Sequence, residues 1–158
     1  MNVGITGHQD LRGAEDWIRE TLRQIVLGLK VQHGLTSLAW GTDQIYAEIL
    51  QELNLPYTAV IPCSQYESTF SDPKKLHNYS ELLHRAQKIE TLNFHKPEGI
   101  AFYEAGKKVV DGSEKMIAVW DGGKAKNLGG TADAVSYALS KRKEVIHLNP
   151  LTKTISIL

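Results

Sequence analysis

The chain has 158 residues, and its 18 basic and 18 acidic side chains balance to a formal net charge of zero. Apolar residues make up 42% and charged residues 23%, an ordinary globular balance, and a chain this long buries roughly 70% of its unfolded surface without a staple. The charge balance argues against nucleic acid and membrane surfaces as partners, which call for a basic excess or stripe. The lone cysteine, Cys63, excludes an intrachain disulfide. With no 18-residue apolar run and no signal-peptide pattern, the chain reads as a single cytoplasmic domain over 1–158.

In chain order, "NVGIT" (2–6) reads as a short buried strand. Residues 14–32 carry helical spacing, with Ala14, Trp17, Ile18, Leu22, Ile25, Val26 and Leu29 on one face and Gly34 as the terminating glycine. "LTSLAW" (35–40) is a second strand, and "GTD" (41–43) turns into a helix striped by Ile45, Tyr46, Ile49, Leu50 and Leu53. "PYTAVIP" (56–62) is a third strand. The polar stretch 63–75 has no clear period, and Leu76, Tyr79, Leu82, Leu83 and Ala86 mark the next helix. "KIETLN" (88–93) is a fourth strand, followed by a helix over 98–111. "KMIAVW" (115–120) is the best-defined strand. A glycine-rich loop then opens a helix with Ala132, Val135, Ala138 and Leu139 inward, and "EVIHLNP" and "KTISIL" close the chain as strands. Strand and helix alternate throughout, which predicts an α/β, Rossmann-like three-layer α/β/α sandwich around a mostly parallel sheet. Right-handed crossovers place all strand C-terminal ends on one edge, where ligands of such sheets bind.

Three loops on that edge have unusual composition: "TGHQ" after the first strand, "WGTD" after the second, and "DGGKAKNLGGTAD" after "KMIAVW". Glycine admits close approach of a ligand to backbone, and a helix N-terminus offers unpaired N–H groups with partial positive charge. Gly129, Gly130 and Thr131 read as a phosphate cradle, and Gly41–Thr42 as a smaller one. Each candidate has a plainer reading beside it. Gly4 and Gly7 suit close strand–helix packing, Thr42 or Asp43 suits an N-cap, and His8 suits a solvated loop. Asp121, beside Gly122 at a strand end, suits ribose binding or acid–base work, or acceptance of its own loop's N–H groups. Tyr66 and Phe70 stack on a base or pin their loop to the core. No Walker loop and no Gly-x-Gly-x-x-Gly fingerprint is present, and none of the six histidines forms a ligand pair at metal-site spacing, so no metal and no cofactor is implied.

The blocks "VGITGHQ", "WGTDQIYAEI", "IPCSQYES", "VVDGSEKMIAVWDGG" and "GGTADAVSYALSKRKEVIHLNP", in this order, resemble the SLOG superfamily. That is the Rossmann-like group joining the DprA/Smf, LOG and YpsA families, and the YpsA-like and stand-alone members are the most similar. The resemblance runs from the first strand to Pro150. It implies a pocket for a nucleotide or nucleotide-derived ligand. Gly129, Gly130 and Thr131 would hold phosphate with Asp133 in the first helical turn, Thr6, Gly7 and His8 would line the other side, Gly41, Thr42 and Asp43 the floor, and Gln65 would match a shared glutamine. It also implies a homo-oligomer. Some members sense nucleotide signals, while LOG enzymes hydrolyse the N-glycosidic bond of nucleoside monophosphates. The arginine and glutamate of those enzymes fall here on Ala105 and Ala134. The expected function is therefore a nucleotide sensor or carrier. The alternative is an N-glycosidase or nucleoside transferase working through Asp121 or Asp133, with no catalytic residue assigned beyond those two.

Overall fold

The computed structural model describes residues 1–158. It contains β1 (Asn2–Gly7), α1 (Glu15–Gly28), β2 (His33–Thr36), α2 (Thr42–Glu52), β3 (Tyr57–Ile61), α3 (Pro73–Arg85), β4 (Lys88–Thr91), α4 (Gly99–Asp111), β5 (Lys115–Val119), α5 (Thr131–Ser140), β6 (Glu144–Asn149) and β7 (Thr154–Ile157). A 3-10 turn, Tyr66–Thr69, precedes α3. The sheet order is β4-β3-β2-β1-β5-β6-β7. Every pairing is parallel except β6 with β7. The chain winds outward from β1 to β4, returns to lay β5 against β1, and winds the other way. The direction of winding therefore reverses between β1 and β5, and the loops there splay apart at the carboxyl edge.

One face of the sheet carries α1, α2 and α3 over a core that includes Val3, Ile5, Ile18, Leu22, Tyr46, Leu50 and Ile117. The other carries α4 and α5 over Val109, Met116, Ala118, Val135 and Ala138. The predicted three-layer α/β architecture is the one found.

Several boundaries differ from the reading of the sequence. Helix α1 ends at Gly28, and Gly34 lies in β2, where a side chain would overlap Leu50 of α2. That glycine serves helix–sheet packing rather than a helix stop. Strand β2 ends at Thr36, so "SLAW" is loop. Leu38 there sits at φ 56° with its side chain fully buried. This left-handed backbone costs about 1–2 kcal/mol for a residue with a Cβ. It is held by the Leu38 amide donating to Thr36 Oγ1 at 3.1 Å and by Gln44 Nε2 donating to the Leu38 carbonyl at 3.1 Å. The aperiodic stretch before α3 contains a standard start signal: Asp72 accepts the Lys74 amide at 2.8 Å, and Pro73 opens the helix. Leu139, expected inward, is exposed.

Gly41 begins α2 at φ 86°, and a Cβ there would overlap the carbonyl of Gln9. Left-handed strain and overlap with unyielding backbone act together. Gly41→Ala is expected to cost about 2–4 kcal/mol in urea unfolding. A loss below about 0.5 kcal/mol, the level of an ordinary surface change, would show that the β1 and β2 loops are not locked at this point.

Candidate functional site

His8, the residue after β1, ties three elements together. Its amide donates to Val119 O at 3.0 Å, its carbonyl accepts Thr42 Oγ1–H at 2.9 Å, and its Nε2 accepts the Asp121 amide at 3.1 Å. The end of β1 is thereby fastened to β5 and to the start of α2. Thr42 is fully buried, and a Cβ on Gly7 would overlap its side chain. The Thr42 amide also reaches the His8 carbonyl, at 3.3 Å. The start of α2 is thus closed by protein. Gly41 and Thr42, read from sequence as a small phosphate cradle, form the frame of the site and do not line its cavity.

Beside this junction lies a cleft of about 470 Å³. Thr6, Gly7 and His8 form one wall. Ser37, Ala39 and Trp40 from the β2–α2 loop and Asp43 from the first turn of α2 form the next, and Tyr66 and Phe70 another. Phe102, Ala105, Gly129, Gly130, Thr131 and Ala134 close it from α4 and α5. Tyr66 meets Phe70 edge-on at 5.4 Å, and Phe70 stacks on Tyr79 at 4.5 Å. Both aromatics are therefore anchored to the core while presenting surface to the cleft. Lys75, absent from the sequence reading, lines the cleft with Nζ 4.9 Å from the Trp40 ring.

The two ends of the cleft differ. At α5, Gly130 is the N-cap, no side chain caps the helix, and no protein acceptor meets the amides of Thr131 and Ala132. Gly129 (φ 87°) is held against α4, where a Cβ would lie 2.7 Å from Gly99 O and Tyr103 N. Gly130 has open space around it. Asp133 faces away from the cleft, and its Oδ2 accepts the Gly129 amide at 2.8 Å. It braces the glycine loop.

At the other end is Asp43. Gly41, not Thr42 or Asp43, is the N-cap of α2, so the plain capping role considered for Asp43 is not the one observed. Asp43 is 7% exposed and lines the cleft. Its Oδ2 accepts the Ala39 amide at 3.3 Å. Burial pushes its carboxyl up to about 7, against the lowering pull of the Ala39 and Ser37 amides. Nothing in the local sequence announces this, because the burial comes from the Leu38 loop and the Tyr66 turn closing over it.

A second cleft, of about 340 Å³, shares His8, Gln9, Asn127, Gly130 and Thr131 with the first. Asp121 lines this second cleft together with Arg12, Lys124 and Lys126. Its Oδ1 accepts the Gly123 amide at 2.8 Å. That bond first, and then His8 and Arg12, hold the carboxyl below the usual range. Asp121 is thus the loop-capping acceptor, fully ionised at neutral pH. Gly122 (φ 84°) and Gln65 are exposed and lie outside both clefts. Ala105 and Ala134, 1% and 7% exposed, both line the first cleft, where the resemblance set charged residues.

No protein-family model matches the chain, and no curated protein matches it in sequence. Solved structures share its fold. DNA processing protein A (DprA) from Streptococcus pneumoniae aligns over 94% of this chain and 50% of its own, with a TM-score of 0.67 and 12% identity. DprA from Helicobacter pylori, described for its single-stranded DNA binding mode, aligns over 94% and 65%, with a TM-score of 0.69 and 19% identity. The molybdenum cofactor carrier protein from Chlamydomonas reinhardtii aligns over 92% and 74%, with a TM-score of 0.57 and 17% identity. This chain therefore spans 50% and 65% of the lengths of the two DprA proteins. The fold implied by the SLOG resemblance is the fold observed. The exclusion of nucleic acid from net charge is overturned, because a fold-mate is a single-stranded DNA binder. A zero sum also hides the local cluster of Arg12, Lys124 and Lys126. No helix is long and apolar enough to cross a membrane.

The raised Asp43 value has a stability consequence. Between its ordinary 3.8 and about 7 the folded chain holds this proton and the unfolded chain has lost it. Stability therefore falls as pH rises through that window. Asp43→Asn removes this term, and an amide oxygen still suits the Ala39 bond. The melting temperature of the variant, relative to the wild type, is expected to rise between pH 5 and pH 7.5. A difference that stays constant across that range would contradict the raised value.

Proposed function

We propose that this chain is a binding module for a nucleotide-derived small molecule, acting as a sensor or carrier. The observation that carries this reading is the first cleft, with the uncapped N-terminus of α5 at one end and an aromatic, carboxyl-bearing wall at the other. Free helix amides and the Thr131 hydroxyl suit phosphate oxygens. Trp40, Tyr66, Phe70 and Phe102 supply apolar surface for a flat ring. The cofactor-carrying neighbour supports small-molecule binding on this fold.

The hydrolase alternative finds less support. Asp133 is occupied with Gly129 and Asp121 with Gly123, and neither lines the first cleft. An ionised Asp121 is also unsuited to donating a proton to a leaving base.

Gly130 provides the test. It has an extended backbone (φ −81°, ψ −175°), and a Cβ there would meet only Asn127 O at 3.7 Å. Gly130→Leu fills the cleft at the helix N-terminus without strain. It is expected to weaken nucleoside monophosphate binding at least tenfold in calorimetry while leaving the melting temperature within about 2 °C of the wild type, as for a change below about 0.5 kcal/mol. Unchanged affinity would remove the phosphate from this end of the cleft.

The second cleft supports one further reading, that the bound nucleotide belongs to a single strand continuing past Arg12, Lys124 and Lys126. Three phosphates neutralised on a single strand predict a slope near −2 in log affinity against log salt. Anisotropy with a labelled oligothymidylate at several salt concentrations reads it directly, and a slope near zero would dismiss the strand.

A further inference from the structure

Two polar side chains that line the first cleft are more than nine-tenths buried. Asp43 is 7% exposed, and its Oδ2 accepts the Ala39 amide. Tyr66 is 4% exposed. They are close enough that the Asp43 charge, after burial, helps hold the Tyr66 hydroxyl protonated. No buried side-chain polar atom of the chain is left without a partner, so the acceptor of Asp43 and the donor of Tyr66 that are not engaged within the chain open onto the cleft, where a ligand can meet both. The ligand edge that completes them presents N–H groups to the carboxylate and a carbonyl to the hydroxyl.

Distance selects which part of a nucleotide arrives there. Asp43 follows β2, and the α5 amides follow β5. Since β1 lies between those strands, their carboxyl ends are about 10 Å apart. A ribose hydroxyl lies too near its own phosphate to span this gap, whereas a base edge lies beyond the sugar. Asp43 therefore meets the base when phosphate sits at Gly130.

Resting on the nucleotide reading above, we infer that the Asp43 end of the cleft recognises the 2-amino-4-oxopyrimidine edge of a guanine. A carboxylate accepts at several positions, and Oδ2 spends one of them on Ala39. Guanine offers two adjacent donors, the ring N–H and the exocyclic amine, and then a carbonyl for Tyr66. Adenine and cytosine turn a ring-nitrogen lone pair toward the carboxylate. Hypoxanthine keeps the ring N–H and loses the amine. A hydrogen bond to a charged group is worth roughly tenfold or more in affinity.

Calorimetry on the full chain at pH 8, with GMP, IMP and AMP, tests this. GMP is expected to bind at least tenfold more tightly than IMP, and IMP more tightly than AMP. Asp43→Asn, which offers one acceptor and one donor, is expected to weaken GMP at least tenfold and to spare or improve AMP. A purely structural role for Asp43 would weaken all three alike. If the variant does not fold, the wild-type order decides alone. Equal affinities, or AMP bound best, would overturn the guanine inference while leaving nucleotide binding standing. If none of the three binds, both readings fall together.

Discussion

The junction at His8 fixes where everything else in the site can be. Winding in opposite directions from β1 separates the loops after β1 and β5, which leaves a crevice but no geometry within it. His8 supplies the geometry: its amide is on Val119, its carbonyl takes both the hydroxyl and the amide of Thr42, and its ring takes the Asp121 amide. The absence of a side chain on Gly7 lets α2 come down onto β1. With α2 held there, Asp43 in its first turn is carried under the Leu38 loop and out of water.

That burial has two faces. A carboxyl is an unfavourable thing to bury, and its value near 7 records the cost of desolvation. The left-handed Leu38 adds a second local cost beside it. The hydrogen bonds of Thr36 and Gln44 over-determine this loop, and Gln44 is in turn held by Asn78 Nδ2 at 2.7 Å. Strain sustained by its surroundings beside a cleft is the pattern of a pre-organised binding wall. At the opposite end the cost is of another kind, since the α5 amides are left without protein acceptors. Both ends face one cavity, so one ligand can meet both.

Alternation of strand and helix was enough to read the layers and the parallel sheet from sequence, because a two-residue period and a 3.6-residue period are local properties. The ends of elements were less legible. Gly34 has the look of a helix stop, yet it is a strand glycine kept small by Leu50, a contact 16 positions away that periodicity cannot register. Within the site, Gly130 and Thr131 were legible because an open cradle depends on nearby backbone. Gly41 and Asp133 have the same residue chemistry, but the structure spends them on internal contacts with Gln9 and Gly129. Composition cannot tell a donor aimed at a ligand from one aimed at the chain itself. Asp43 was read both as an N-cap and as part of the pocket floor, and sequence could not choose between them. Its sequence neighbours suggest a cap, and the residues that bury it, Leu38 and Tyr66, come from separate loops.

Ala105 and Ala134 bear on what the cleft does with its ligand. They lie together on its α4–α5 side and present methyl groups where the resemblance set an arginine and a glutamate. Cleaving a bond to an anomeric carbon builds positive charge on the sugar as the leaving group takes a proton. Glycosidases divide the two tasks between two carboxyl groups. The one carboxyl lining this cleft is Asp43, at the end proposed above for the base. Its value near 7 suits proton exchange, but on the proposed reading that one group is engaged on the base edge, and nothing negative faces the sugar. Alanine on the α4–α5 side instead leaves room and apolar contact in the middle of the cavity, which stabilises a bound ligand without favouring its transition state. On the proposed nucleotide reading, a cleft with strong ends and an inert middle is one that holds its ligand intact.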